Sequence, residues 1–282
     1  MNSIVPFGDF KPYYEINREE RFFTATLYAL LLNERNLRSF IQLLNTKLMP
    51  NEKIDETRIP EFEIYVEYAY LRDCWNSLGV SRDKNETKIS IIRKSLAVLG
   101  ISNSELESLK FHDWNRCFVG RGRPSAKYLQ NPGTWSIVQI AKSGYFPNTP
   151  ERNEDFKKIC YFKWCFNIKP DLVIKIGKKK VISIEAKLES GEGKYPSNEA
   201  EIKVFKDRGI ESIKQTKLQR FMFEKLLGLD SIAIYLTKRV SNHRKDDDCY
   251  QISWGEILPQ LDKSNLHPFV LKAIKSNEYL NQ

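Results

Sequence analysis

The segment 169-KPDLVIKIGKKKVISIEAKLESGEG-193 constrains the fold more tightly than any other stretch of this chain. Two apolar runs meet at Gly177-Lys178-Lys179, as in a buried hairpin, yet acids interrupt them at Asp171 and Glu185. Side chains alternate along a strand, so Leu172, Ile174 and Ile176 share one face of the first strand. Ile182, Ile184 and Ala186 share one face of the second. The two sets face the same way only across a three-residue loop, with Ile176 opposite Lys180. A two-residue turn would set Asp171 beside Ile184 and split the apolar face, because a one-residue slip inverts every side chain. The same register puts Asp171 opposite Glu185, with Lys187 on their side.

Directly opposed Cβ atoms lie roughly 5 Å apart. Two bare carboxylates that close repel each other unless a positive charge joins them. A divalent metal is one such charge, and hard oxygen ligands suit Mg²⁺ or Mn²⁺. Lys187 is the other, neutralising both acids in a partly exposed ion cluster. The sequence alone leaves both open.

The rest of the chain frames this hairpin. Apolar residues at three- and four-residue intervals (Phe22, Phe23, Leu27, Leu30, Leu31) predict a helix over 18–33, with Asn17 as its cap and Glu19 and Glu20 in its first turn. A second helix is expected over 36–48, ending before Pro50. Residues 61–78 fit strand or helix equally. Helical patterns at 86–99 and 104–112 point to a helical insertion. After the hairpin a polar loop (189–200), a long basic helix (about 210–228) and a β-branched strand, 231-SIAIYLT-237, are expected. The last 45 residues are mixed in character and expected to pack outside the core.

At 282 residues, 41% hydrophobic and 29% charged, the chain has the composition of a globular protein. The N-terminus lacks a secretory pattern, and 22-FFTATLYALLL-32 is too short to span a bilayer, so a cytoplasmic protein without a membrane partner is expected. Five scattered cysteines without a CxxC pair argue against a disulfide framework. They also argue against a zinc site, although folding could gather His112, Cys117, Cys160 and Cys165. Trp135, Trp164 and Trp254 read as core or substrate-flanking aromatics. The net charge of +9 suits an anionic partner. Two basic regions qualify: the loop containing Arg121 and Arg123, and the Lys203, Lys206, Arg208, Lys214, Lys217, Arg220 and Lys225 set. Each is either a phosphate-contacting surface or merely a solvated one.

Pro170-Asp171 followed by Glu185-Ala186-Lys187, on an apolar hairpin with a helix and a β-branched strand behind it, resembles the PD-(D/E)xK nuclease superfamily. The resemblance covers 18–33 and 164–237. It implies an α/β fold, a restriction-endonuclease-like core (central mixed sheet flanked by helices) with a helical insertion. One elaborated nuclease domain is then expected, its core at 18–48 and 160–240, a helical and loop insertion at about 80–150, and a C-terminal extension at 241–282. The resemblance also implies a glutamate on the preceding helix, Glu20 before Glu19, and a glutamine on the following one. For the latter Gln215 and Gln219 are both candidates, and Gln219 with Phe223 is similar to the Q-xxx-Y pattern of the RecB-like branch.

What this implies is Mg²⁺- or Mn²⁺-dependent phosphodiester hydrolysis. Asp171, Glu185, Glu20 and the Ala186 carbonyl would hold the metal, and Lys187 and Gln215 would complete the catalytic set. Arg121, Arg123, Lys214, Lys217 and Arg220 would bind nucleic acid, DNA before RNA, with a homodimer left open. Glu189 and Glu192 read first as loop residues. The expected alternative is a catalytically inactive nucleic-acid-binding module of the same fold.

Overall fold

The computed structural model describes residues 11–101, 104–119, 127–189, 191–238, 240, 249–277 and 280. The loop carrying Arg121 and Arg123 lies outside them. The chain divides into two compact units. One contains Met1–Val66, Asp171–Gly191 and Ile232–Gln282; the other contains Glu67–Pro170 and Glu192–Ser231. The described residues carry strands β1 (Phe62–Val66), β2 (Leu172–Ile176), β3 (Lys180–Ala186), β4 (Lys194–Tyr195), β5 (Ile213–Lys214), β6 (Asp230–Thr237) and β7 (Tyr250–Ser253). The fold is α/β, with a five-stranded mixed sheet in the order β1-β2-β3-β6-β7 flanked by helices.

The hairpin has the register that its apolar pattern demands. Ile176 pairs with Lys180 and Leu172 with Ile184, across the loop Gly177-Lys178-Lys179. Leu172, Ile174, Ile176, Ile182, Ile184 and Ala186 therefore enter one core together. Each such fully buried aliphatic side chain contributes about 1.5–3 kcal/mol, so the register is strongly specified. Helices Glu20–Leu31 and Glu34–Lys47 supply the facing residues, among them Phe23, Leu27, Leu31, Phe40, Ile41 and Leu44. β1 pairs antiparallel with β2, which resolves the ambiguous 61–78 segment into a strand followed by the helix Tyr70–Ser77.

Three boundaries differ from expectation. The first helix starts at Glu20, and Glu19 rather than Asn17 is its cap. The Glu19 carboxylate accepts from the Arg21 amide at 3.4 Å, while Asn17 Oδ1 accepts from the Glu19 amide at 2.9 Å. The C-terminal segment joins the core instead of packing outside it. β7 runs parallel to β6, and Ile252, Trp254, Ile257, Leu258, Leu261, Ile274 and Leu280 are buried in the same cluster. A four-residue strand offers too little alternation to be read from sequence.

The long basic helix is the third difference. Gly209, at φ +66°, ends a separate helix, Glu199–Asp207, capped by Asn198. Ile213 and Lys214 then form β5 against β4, and the helix proper is only Gln215–Phe221, followed by a π-helical turn. β-branched Ile213 pairs with Tyr195, which takes the backbone out of helical conformation.

The second unit is otherwise helical, around stacked aromatics. Trp114 and Trp135 lie 5.6 Å apart with planes 13° from parallel, and Phe118 and Phe162 pack on Trp135. Trp135, Trp164 and Trp254 are all core residues. Cys160 and Cys165 are buried, and burial pushes both thiols well up. No helix among the described residues is long and apolar enough to cross a membrane.

Gly177 closes the hairpin at φ +57°, where a side chain is strained, and a Cβ there would come 2.5 Å from Arg58 Nη2. Gly177→Ala should lower the unfolding free energy by about 1–2 kcal/mol in a denaturant titration, the usual cost of forcing an L-residue into this region.

Candidate active site

Asp171 stands one residue before β2, Glu185 one residue from the end of β3, and Lys187 just beyond it. Their odd numbers place them on the side of the hairpin opposite the core set Leu172 to Ala186. Extending the register sets Asp171 across from Glu185. The Asp171 carboxylate accepts the Ala186 amide at 2.8 Å, lengthening the hairpin ladder with a side chain. Glu185 is 1% exposed, and its Oε1 lies 2.8 Å from Lys187 Nζ.

The first helix reaches the same point. Glu20 Oε2 lies 3.3 Å from Lys187 Nζ, and Glu20 Oε1 accepts the Leu188 amide at 3.2 Å. Glu20 therefore approaches the hairpin, whereas Glu19 is spent on its own helix end. Outside this cluster, Arg18 and Glu189 form an exposed pair at 3.1 Å, so the segments 18–20 and 187–189 are joined three times.

Sequence reasoning misses what holds the Lys187 backbone. Its amide donates to Leu236 O on β6 at 2.8 Å, and its carbonyl accepts from Trp254 Nε1 at 3.2 Å. Trp254 packs edge-on to Phe23 of the Glu20 helix, with ring centroids 6.4 Å apart. No spacing or motif in the sequence signals that contact.

Electrostatics at the cluster are one-sided. Burial by itself would push the Lys187 ammonium down, but Glu185 first, then Asp171 and Glu20, more than reverse this and hold it above the ordinary lysine range. Lys187 is therefore fully protonated at neutral pH. The carboxylates of Glu185, Asp171 and Glu20 thus all act on the one ammonium of Lys187. Hard oxygen donors of this kind suit a divalent cation, which Asp171, Glu185, Glu20 and the Ala186 carbonyl would hold. Among the described residues no three acidic, histidine or cysteine side chains converge at cation-binding spacing. An ammonium stands between Glu20 and Glu185 instead, so a metal ion would have to displace it from one of them.

The remaining candidates belong to the second unit. Gln215 opens the helix Gln215–Phe221, its amide donating to Gly193 O at 2.9 Å. Its side chain packs against Gly193, where a Cβ would come 2.8 Å from Gln215 Oε1. Gln219 is wholly buried. Glu192 accepts the Thr216 amide at 2.7 Å and also the Thr216 hydroxyl, an N-terminal capping role. Lys214, Lys217 and Arg220 are half-buried, and Arg220 pairs with Glu224 at 2.6 Å. Comparison of the chain with protein-family models, curated proteins and solved structures gave no match in any of the three.

Removing the ammonium takes a close partner from a buried carboxylate. Lys187→Ala should cost on the order of 3 kcal/mol, the scale for breaking a buried pair from one side. The sign follows from the raised ammonium: its stabilisation is complete below the ordinary lysine value and lost only as pH climbs through the raised one. The loss should thus be constant across neutral pH in thermal melts. Adding Glu185→Gln should recover most of it, and Mn²⁺ should raise the melting temperature of Lys187→Ala more than that of the wild type.

Proposed function

We propose that this chain is a metal-dependent nuclease of the PD-(D/E)xK kind, with a restriction-endonuclease-like core, hydrolysing phosphodiester bonds in DNA in preference to RNA. The observation that carries the reading is the meeting of Glu20, Asp171, Glu185 and Lys187 at one end of a hairpin, from a helix and two strands.

Bound Mg²⁺ or Mn²⁺ would neutralise charge at the scissile phosphate and make a water acidic enough to attack. Asp171, Glu185, Glu20 and the Ala186 carbonyl are its ligands in this proposal. Asp171 is pre-aimed by the Ala186 amide, and Glu20 by the Leu188 amide. Lys187 carries a full positive charge, which orients the water and offsets charge developing on the phosphoryl oxygens. Gln215 contacts the substrate backbone, and Lys214, Lys217 and Arg220, with Arg121 and Arg123, contact phosphates. A cytoplasmic enzyme, acting as a homodimer where both strands are cut, completes the proposal.

The second reading is a catalytically silent nucleic-acid-binding module. It is favoured by one feature: the Lys187 ammonium pairs directly with buried Glu185. Incubation with plasmid, linear duplex and single strands, with and without Mg²⁺, separates the two. The proposal expects metal-dependent cutting that Asp171→Asn abolishes and Lys187→Ala lowers by about 100- to 1,000-fold, with strand binding retained. Binding without cutting in every metal supports the silent module, and cutting unchanged in both variants assigns the activity to a contaminant.

A further inference from the structure

Three rings of the second unit form a stacked series that ends at the surface. Phe223, wholly buried on the π-helical turn Met222–Leu226, stacks on Tyr68 with ring centroids 6.0 Å apart and planes 26° from parallel. Tyr68 in turn stacks on Tyr70 at 5.6 Å, with planes only 4° from parallel. Tyr70 opens the helix Tyr70–Ser77 and is 43% exposed. Among the described residues no further ring meets Tyr70, so the series stops on a partly open aromatic side chain. Most other ring pairs of this unit are tilted or edge-on, whereas parallel planes are the arrangement that a flat base continues.

The backbone is irregular at both ends of this series. Glu67, just before Tyr68, has φ +54° and is the one non-glycine residue in the left-handed region among the described residues. Such conformations persist only where the surroundings fix them, and they gather at ligand-holding sites. Here the Glu67 carboxylate pairs with Lys169 Nζ, and the Tyr68 amide donates to Pro170 O at 3.0 Å. The π-helical turn beneath Phe223 is a second irregularity of a kind frequent at functional sites.

The neighbours of Tyr70 indicate what it suits. The other exposed residues of its helix are Arg72, Asp73, Cys74, Asn76 and Ser77, and the Tyr70 hydroxyl meets the Cys74 side chain one turn on. A stable protein interface needs a broad patch with an apolar centre, which one ring in a polar surround does not supply. One ring does match one base. Arg72 pairs with Asp73 and Lys169 with Glu67, so this surface offers a base a ring more than it offers a phosphate a charge.

We propose that Tyr70 is the platform on which an unpaired base of a single strand stacks, continuing the series Phe223, Tyr68, Tyr70. The choice of nucleic acid rests on the nuclease reading; the stack, its exposure and the strain before it do not.

The test is a fluorescence-anisotropy titration of the full chain, without added metal, against a labelled single strand, its duplex and an abasic strand of equal length. The single strand should bind at least about tenfold more tightly than the abasic one, and Tyr70→Ala should remove most of that difference, the usual effect of taking one ring from one base. Affinity for the duplex and the abasic strand, and the log–log salt slope, should be unchanged, since no phosphate contact is lost. Tyr70→Trp should bind like the wild type, both variants should keep the melting temperature, and a ribo-strand of the same sequence tells RNA from DNA as the source of the base. Equal single-strand affinity in Tyr70→Ala, a loss shared by the abasic strand, or no binding by the wild type overturns the proposal. So does a Tyr70→Ala effect confined to self-association, which would make the ring a contact between copies. Metal-dependent cutting of single strands with an unchanged KM in Tyr70→Ala sinks the platform and spares the nuclease. Base-dependent binding through Tyr70 by a chain that cuts nothing in any metal does the reverse.

Discussion

A carboxylate that is 1% exposed must have a partner, and Glu185 has Lys187 at 2.8 Å. Much of the first unit follows from that requirement. The ammonium reaches Glu185 only if Lys187 continues the β3 alternation. Its backbone is fixed there by Leu236 on β6 and by Trp254 just after β7. Glu20 then ties the first helix to the same lysine and to the next amide. One buried ion pair thus joins a hairpin, a parallel strand pair and a helix. Buried ion pairs are poor sources of net stability, since desolvation offsets most of the attraction. An apolar pair would have held these elements together as well, so the retained charges ask for a chemical reason.

In the proposed function that reason is the gathering of carboxylates around one lysine. Lys187 pairs with Glu185, and Asp171 and Glu20 stand at the same end of the hairpin. Both are already aimed by backbone amides, at Ala186 and Leu188. In the proposed chemistry the lysine does two things in turn. It stabilises the acids before a cation arrives, and it remains as a protonated neighbour of the phosphate afterwards. A site of this kind trades some folding stability for electrostatic preorganisation.

The hairpin was legible because its physics is local. Alternation and a three-residue loop were enough to set Ile176 against Lys180, and so Asp171 against Glu185. The two N-terminal helices were legible for the same reason, their apolar periodicity being strong. What escaped depends on long-range contacts or short elements. β7 is four residues long and finds its partner β6 beyond residues 241–248. Trp254 gave no sign that its indole would hold the Lys187 carbonyl. Uniform charge makes 189–200 read as a polar loop and about 210–228 as one helix, yet a helix at Glu199–Asp207 ends at Gly209, and Ile213 starts a strand ahead of a shorter helix. Glu192 reads from sequence as a loop acid, and its capping of Thr216 is visible only in three dimensions.

The central claim is that the cluster exists to hold a divalent cation, and Asp171 tests it most directly. Asp171→Asn keeps an oxygen for the Ala186 amide while deleting one negative charge, so the hairpin should be undisturbed. Calorimetric titration of Mn²⁺ into the metal-free wild type should give saturable binding. Asp171→Asn should lose at least about tenfold in affinity, a difference of about 1.4 kcal/mol, with an unchanged melting temperature. No saturable binding by the wild type, or equal affinity in the variant, would contradict the account and leave Glu20, Asp171, Glu185 and Lys187 as an ion cluster alone.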